Sequence, residues 1–267
     1  FIFILDEEMG PPFHAHAHRG VSLSRLLRII APKLLILLTP LLVKGLRTKP
    51  FQVCTNKTCS KQGSSKTAST FSILKQKVET HSCVSKCGEG PNILAPSGRV
   101  YNGVKPDATT LISAIIEIET GEAVPTSVMT AVSLVAEADH ASEQDEAKNE
   151  KLSKAVKLLV EYNMEKSANA AYGEALAVAY TSRSALALKS YKSDRRYEDL
   201  AAAKNDAKLA IASCNTVSKS YWNLAEIYEI ENRFAAATEC LLQMEKVLPD
   251  FSETIGKEVA RLQTLQQ

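Results

Sequence analysis

Residues 53–64 read VCTNKTCSKQGS and residues 80–92 read THSCVSKCGEGPN, and together they hold four of the six cysteines in two close pairs. Cys54 and Cys59 are separated by four residues, Cys83 and Cys87 by three. Each pair follows a short β-prone run, Phe51 to Val53 in one case and Val78 to His81 in the other. Two such loops can bring four thiolates to one point. Soft sulfur ligands select zinc, copper(I) or iron–sulfur clusters over hard cations. Closed zinc knots favour CxxC knuckles, and neither pair has that spacing. The wider loops suit a [2Fe–2S] rhomb with one pair on each iron, while a structural zinc site stays open as the rival.

Around the cysteines the wording continues as Lys61-Gln62-Gly63, then Cys87-Gly88-Glu89-Gly90-Pro91-Asn92, then the hairpin-like NILAPSGRVYNGVKP of 92–106. This resembles the thioredoxin-like [2Fe–2S] ferredoxins, a group similar to the small peripheral subunit of respiratory complex I. The resemblance implies that Cys54 and Cys59 hold one iron and Cys83 and Cys87 the other. It also implies that Gly88, Gly90 and Pro91 form the tight turn after the last ligand, where glycine permits close backbone approach. The interval from Cys59 to Cys83 is short for that family, which implies a trimmed helix and second strand.

Between the pairs, SSKTASTFSILKQKV (64–78) spaces Phe71, Leu74 and Val78 on one helical face, with Ser64 or Ser65 as N-cap. Pro96-Ser97-Gly98 turns a hairpin joining Asn92–Ala95 to Arg99–Val104. Pro106-Asp107 then opens an amphipathic helix through Leu111, Ile112, Ile115 and Ile116, so the predicted order is strand, helix, strand, hairpin, helix. His81 lies two residues before Cys83 and reads as a packing or hydrogen-bonding neighbour, since four thiolates complete the site.

The 267 residues have room for two modest domains and an extension. A net charge of +2 conceals an asymmetry: no Asp or Glu occurs between Met9 and Val78, whereas from Glu117 onward acids outnumber bases by 24 to 17. A basic front and an acidic back argue against a nucleic-acid binder. Residues 1–50 read as a targeting leader: Pro11 to Lys49 is rich in Arg, Ser, His and Leu and free of acids, like an organelle transit peptide. Such leaders serve chloroplast and mitochondrion alike. The apolar run Ile29–Val43 is short and broken by Pro32, Lys33 and Pro40, so no transmembrane span is expected. His14, His16 and His18 have no scaffold to make them a metal site.

Residues 51–120 form the expected ferredoxin-like domain. Gly121 ends its last helix, Pro125 can begin the next, and 121–150 reads as a helical linker whose acidic run from Glu137 to Glu150 is a solvated connector. Residues 151–267 are wholly helical in pattern. Tyr221, Leu224, Ala225, Tyr228, Phe234, Ala237, Leu241 and Pro249 fall in the register of a tetratricopeptide repeat (TPR). The preceding 181–215 resembles a second repeat, with Ala185, Leu188, Tyr197, Ala207 and Ala210 in packing roles. An earlier degenerate pair is placed between Lys151 and Tyr180, and Phe251 to Leu265 is the capping helix. Isolated repeats cannot bury their stripes, so about three units and a cap are expected. The resemblance implies a protein-binding groove, on which Lys219, Asn223 and Glu226 are the candidate contacts. Cys214 and Cys240 read as buried small hydrophobes. The resemblance of 51–120 and 184–251 to plant thioredoxin-like ferredoxin/TPR fusions implies the chloroplast stroma, with the mitochondrion as alternative.

The expected fold is therefore an α+β thioredoxin-like ferredoxin domain followed by an all-α TPR solenoid. No nucleophile elbow, phosphate loop or paired-carboxylate motif is present, and a CxxC for disulfide exchange is absent too. The reading is an electron carrier or adaptor: an organellar iron–sulfur protein that docks a protein partner, meets a redox partner and associates at most peripherally with a membrane complex. The alternative is a TPR scaffold with a structural zinc domain.

Overall fold

A computed structural model describes residues 49–74, 76–83, 87–140, 144–165 and 172–266. The leader read over 1–50, including its histidine triad, lies outside them apart from Lys49 and Pro50.

The chain opens with β1 (Phe51–Cys54), whose Phe51, Val53 and Cys54 are buried. A five-residue helix, α1 (Lys57–Lys61), and then α2 (Ser64–Ile73) carry it across to β2 (Val78–His81). β1 and β2 run parallel, as a crossover through helix requires, with Cys54 opposite His81 in register. After a 3₁₀ turn at Cys87–Glu89 come β3 (Ile93–Leu94) and β4 (Val100–Tyr101), giving a sheet ordered β2-β1-β3-β4 with β3 antiparallel to both neighbours. Gly98, at φ +90°, supplies the left-handed residue of the hairpin turn, and its N–H donates to Ala95 O at 2.9 Å. α3 (Thr109–Thr120) ends at Gly121, φ +73°, and turns Ile112, Ile115 and Ile116 inward. The predicted order of strand, helix, strand, hairpin and helix is the observed one. Two local expectations change: the first residue before α2 is Gly63 rather than a serine cap, and Val78 starts β2 instead of extending the helical face.

The remainder is helical: α4 (Thr126–His140), α5 (Asp145–Glu165), α6 (Gly173–Asp194), α7 (Tyr197–Ser213), α8 (Ser218–Ile230), α9 (Phe234–Val247) and α10 (Ser252–Leu265). Among the described residues α4 packs on α5, α6 on α7 and α8 on α9, three successive helix pairs, and α10 closes against α9. Connections as short as Arg195-Arg196 leave no choice but reversal of direction. The architecture is thus mostly helical with a small four-stranded sheet near its N-terminal end.

The segment read as a linker does more than connect. α4 buries Val128, Ala131, Val132, Val135 and Ala138, spaced three and four apart, so its 126–140 portion is one partner of the first helix pair. The pair placed between Lys151 and Tyr180 is instead split: α5 completes the first pair, and 173–180 is the start of α6. One apolar core then runs without interruption from Phe51 and Phe71 through Ile112, Val132 and Leu159 to Ala210. A second, around Tyr221, Leu241 and Ile255, holds the last pair and the closing helix. Tyr197, expected to pack, is 78% exposed at the first residue of α7, with its ring 6.1 Å from that of Tyr191. Among the described residues no helix is long and apolar enough to cross a membrane.

Candidate functional site

Cys54 is the last residue of β1, so its position is set by sheet pairing. Its backbone N–H donates to Asn92 O at 3.0 Å, tying it to the strand that follows the second cysteine pair. On the other side Thr55 donates to His81 O through both its N–H (2.8 Å) and its hydroxyl (3.2 Å). The C-terminal ends of two parallel strands thus meet, the place where open α/β sheets offer a crevice. Cys59 lies on α1 with its side chain buried, while Lys57 and Lys61 on the same helix are exposed. Ser60 closes the turn below it by donating to Thr55 O at 2.8 Å.

The second pair follows the C-terminal end of β2, on the same side of the sheet. Cys83 is exposed, and its backbone N–H donates to His81 Nδ1 at 3.2 Å, so His81 acts as a loop-holding acceptor, the neighbourly role expected of it. The turn Cys87–Glu89 packs on α1. Just beyond it, Gly90 sits directly on Cys59: a Cβ there would lie 2.5 Å from Cys59 Sγ and 2.9 Å from Gln62 Oε1. Only a glycine lets the backbone come so near. Val104 N–H donates to Pro91 O at 2.9 Å and anchors the far end of this loop.

Both loops therefore converge on one end of the sheet. Of the four predicted ligands, Cys54, Cys59 and Cys83 have described side chains, and that of Cys87 lies outside the described residues. Among the described residues no three His, Cys, Asp or Glu side chains are grouped to hold a metal ion. Asp139 and Asp145 are likewise not part of any such group, and the His140 side chain is outside the description.

The expected partner contacts fare unequally. Lys219 is exposed at the start of α8 and lines a cleft. Asn223 is buried and donates from Nδ2 to Thr181 O at 3.2 Å, which makes it a bolt between α8 and α6 instead of a groove contact. Glu226 is exposed and paired with Lys192 of α6. The cleft beside Lys219 is formed by α2 on one side and α4, α6 and the start of α8 on the other. Sequence reasoning missed Glu174 and Ser72, which meet across it at 3.3 Å. They are 102 positions apart, and nothing local to either signals the contact.

Comparison with known proteins gives no match: no family model, no curated protein and no solved structure corresponds to the chain.

Proposed function

We propose that residues 51–120 are a thioredoxin-like ferredoxin domain that holds a [2Fe–2S] cluster through Cys54, Cys59, Cys83 and Cys87, and that the helical part is a TPR module that docks a protein partner. The observation that carries this reading is the convergence of the two cysteine loops: Cys54 stands opposite His81, two residues before Cys83, and Gly90, three residues after Cys87, rests on Cys59 Sγ. What supports the group is the donor set, since thiolates are the ligands iron–sulfur clusters use. When bound, such a cluster supplies one-electron transfer. This chain's own contribution is to hold the sulfurs at a sheet end, bury Cys54 and Cys59 from water, and leave Cys83 on the exposed side.

Three helix pairs and a closing helix favour the TPR reading, because that count buries the apolar stripe of each unit against its neighbour. The function is then electron transfer, or redox-linked assembly of an organellar complex, in the chloroplast stroma or the mitochondrion. A second reading, a TPR scaffold with structural zinc, uses the same four sulfurs.

Anaerobic purification of the full chain, with visible and paramagnetic resonance spectra and iron, sulfide and zinc analysis, separates the two. About two irons and two sulfides per chain, a rhombic signal on reduction and bleaching by Cys83→Ser support the cluster. A colourless protein with one zinc establishes the scaffold reading, and a protein with neither sinks both.

A further inference from the structure

The cleft between α2 and helices α4, α6 and α8 lies apart from the cysteine loops. It encloses about 410 Å³, within the size range of small-molecule sites. Ile73, Val132, Val135 and Val178 give it an apolar wall. Four charged side chains line it, and three of them, Lys66, Asp139 and Lys219, are exposed, where water and mixed sign screen them. Glu174 differs. It is half-buried in the first turn of α6, and the hydrogen bond it accepts from Ser72 Oγ is long, 3.3 Å. Burial pushes its carboxyl up, and the Ser72 donor only partly offsets this.

A half-buried carboxylate with one neutral, distant donor gains most from a charged donor brought in on an apolar body. An anionic ligand would set like charge beside Glu174, and a neutral one would leave the carboxylate as poorly served as before. We propose that this cleft binds a small organic cation, an ammonium on an apolar stem, with the ammonium donating to Glu174 and the stem lying against Ile73, Val135 and Val178. The site needs neither the cluster nor the repeat assignment, since it rests on the cavity and one carboxylate.

The test is calorimetric titration of the full chain with n-hexylammonium chloride, n-hexanol and sodium hexanoate. Hexylammonium should bind saturably at one site, and both other probes at least about tenfold more weakly, the size of one charge-assisted hydrogen bond. Glu174→Gln should lose about tenfold for hexylammonium alone. Val178→Trp, which fills the cavity one helical turn from Glu174, should abolish binding, and Glu198→Gln, exposed on α7 and outside the cleft, should leave it unchanged. Circular dichroism of each variant confirms that the fold is intact, and if Glu174→Gln does not fold, Val178→Trp and the probe series still decide. Equal binding of hexanol or hexanoate, unchanged affinity in folded Glu174→Gln or Val178→Trp, or no saturable hexylammonium binding up to about 10 mM overturns the proposal.

Discussion

Gly90 touches Cys59 so closely that a methyl group on its α-carbon would stand 2.5 Å from the sulfur. Gly90→Ala must therefore displace either the Cys87–Glu89 turn or α1, with an expected stability loss of about 1–3 kcal/mol by urea denaturation. Gly88→Ala is the matched control, since a Cβ there meets nothing within 4 Å, and it should be near neutral. Equal stability of the two variants would show that the loop gives way freely. On the cluster reading, Gly90→Ala should also lower the iron retained per chain while Gly88→Ala does not.

Cys240 is buried in the second core, where its thiol donates to Tyr221 O at 3.6 Å. Burial first, and the charge of Glu239 second, push its pKa up to about 12. At about pH 8 the thiolate fraction is then on the order of 10⁻⁴, so iodoacetamide should leave Cys240 unmodified in the native protein and alkylate it in guanidinium. Because the folded value lies above the ordinary thiol value of 9.0, the associated stability is fully present below pH 9 and is lost as pH rises towards 12. Mass spectrometry of tryptic peptides reads the first effect, and native alkylation of Cys240 would contradict it.

What the sequence disclosed follows from how local each signal is. The β-prone run Val78–His81 spans β2, although Val78 also falls on the helical period of 64–78, and Gly121 marks the end of α3 because its left-handed φ is a single-residue requirement. The stripe on α4, Val128, Ala131, Val132, Val135 and Ala138, consists entirely of alanine and valine and runs into an acidic stretch, so its periodicity is a weak signal beside the charge. The burial of Asn223 is not legible for a different reason. A repeat register fixes which helix faces inward, but whether the neighbouring helix closes over a given side chain depends on Thr181, 42 positions away. The four cysteines stood out because sulfur spacing is local. The glycine at 90 stands out too, as a close-approach residue after the last cysteine, but that it rests on Cys59, like Ser72 on Glu174, is a tertiary contact with no local signal.

Tyr101 donates through its hydroxyl to Glu119 Oε1 at 2.8 Å, and Ser97 N–H donates to Oε2 at 3.2 Å, which fastens the β3–β4 hairpin to α3. Burial pushes the Glu119 carboxyl up, but the Ser97 and Tyr101 donors outweigh it and hold the net value below the ordinary carboxylate range. The Tyr101 phenol is raised, by burial first and by Glu119 second. A depressed carboxylate gives stability that is present above its unfolded pKa and lost as pH falls through the folded one, whereas a raised phenol gives stability lost as pH climbs past its ordinary value. Tyr101→Phe should therefore cost at most about 1 kcal/mol at neutral pH and flatten both the acid and the alkaline shoulders. Urea midpoints across pH check this, and unchanged shoulders would remove the pair as their cause.

Arg183 joins three helices. It donates to Asp206 through Nε at 2.7 Å and Nη2 at 2.8 Å, and to Ser153 Oγ through Nη1 at 3.3 Å, with its guanidinium 5.6 Å from the Tyr180 ring. Asp206 is only 6% exposed and Arg183 24%, so neither charge is well hydrated. Asp206→Ala leaves the guanidinium without its forked acceptor, and the expected loss is about 3 kcal/mol by urea denaturation, the scale for breaking a buried pair. Replacing both partners with apolar side chains, Arg183→Met with Asp206→Leu, removes the stranded charge and should recover most of that loss. The comparison is decisive because it separates the desolvation of one orphaned ion from the value of the bridge. A double variant as unstable as Asp206→Ala would mean that the bridge itself, through its geometry between α5, α6 and α7, holds the first two helix pairs together.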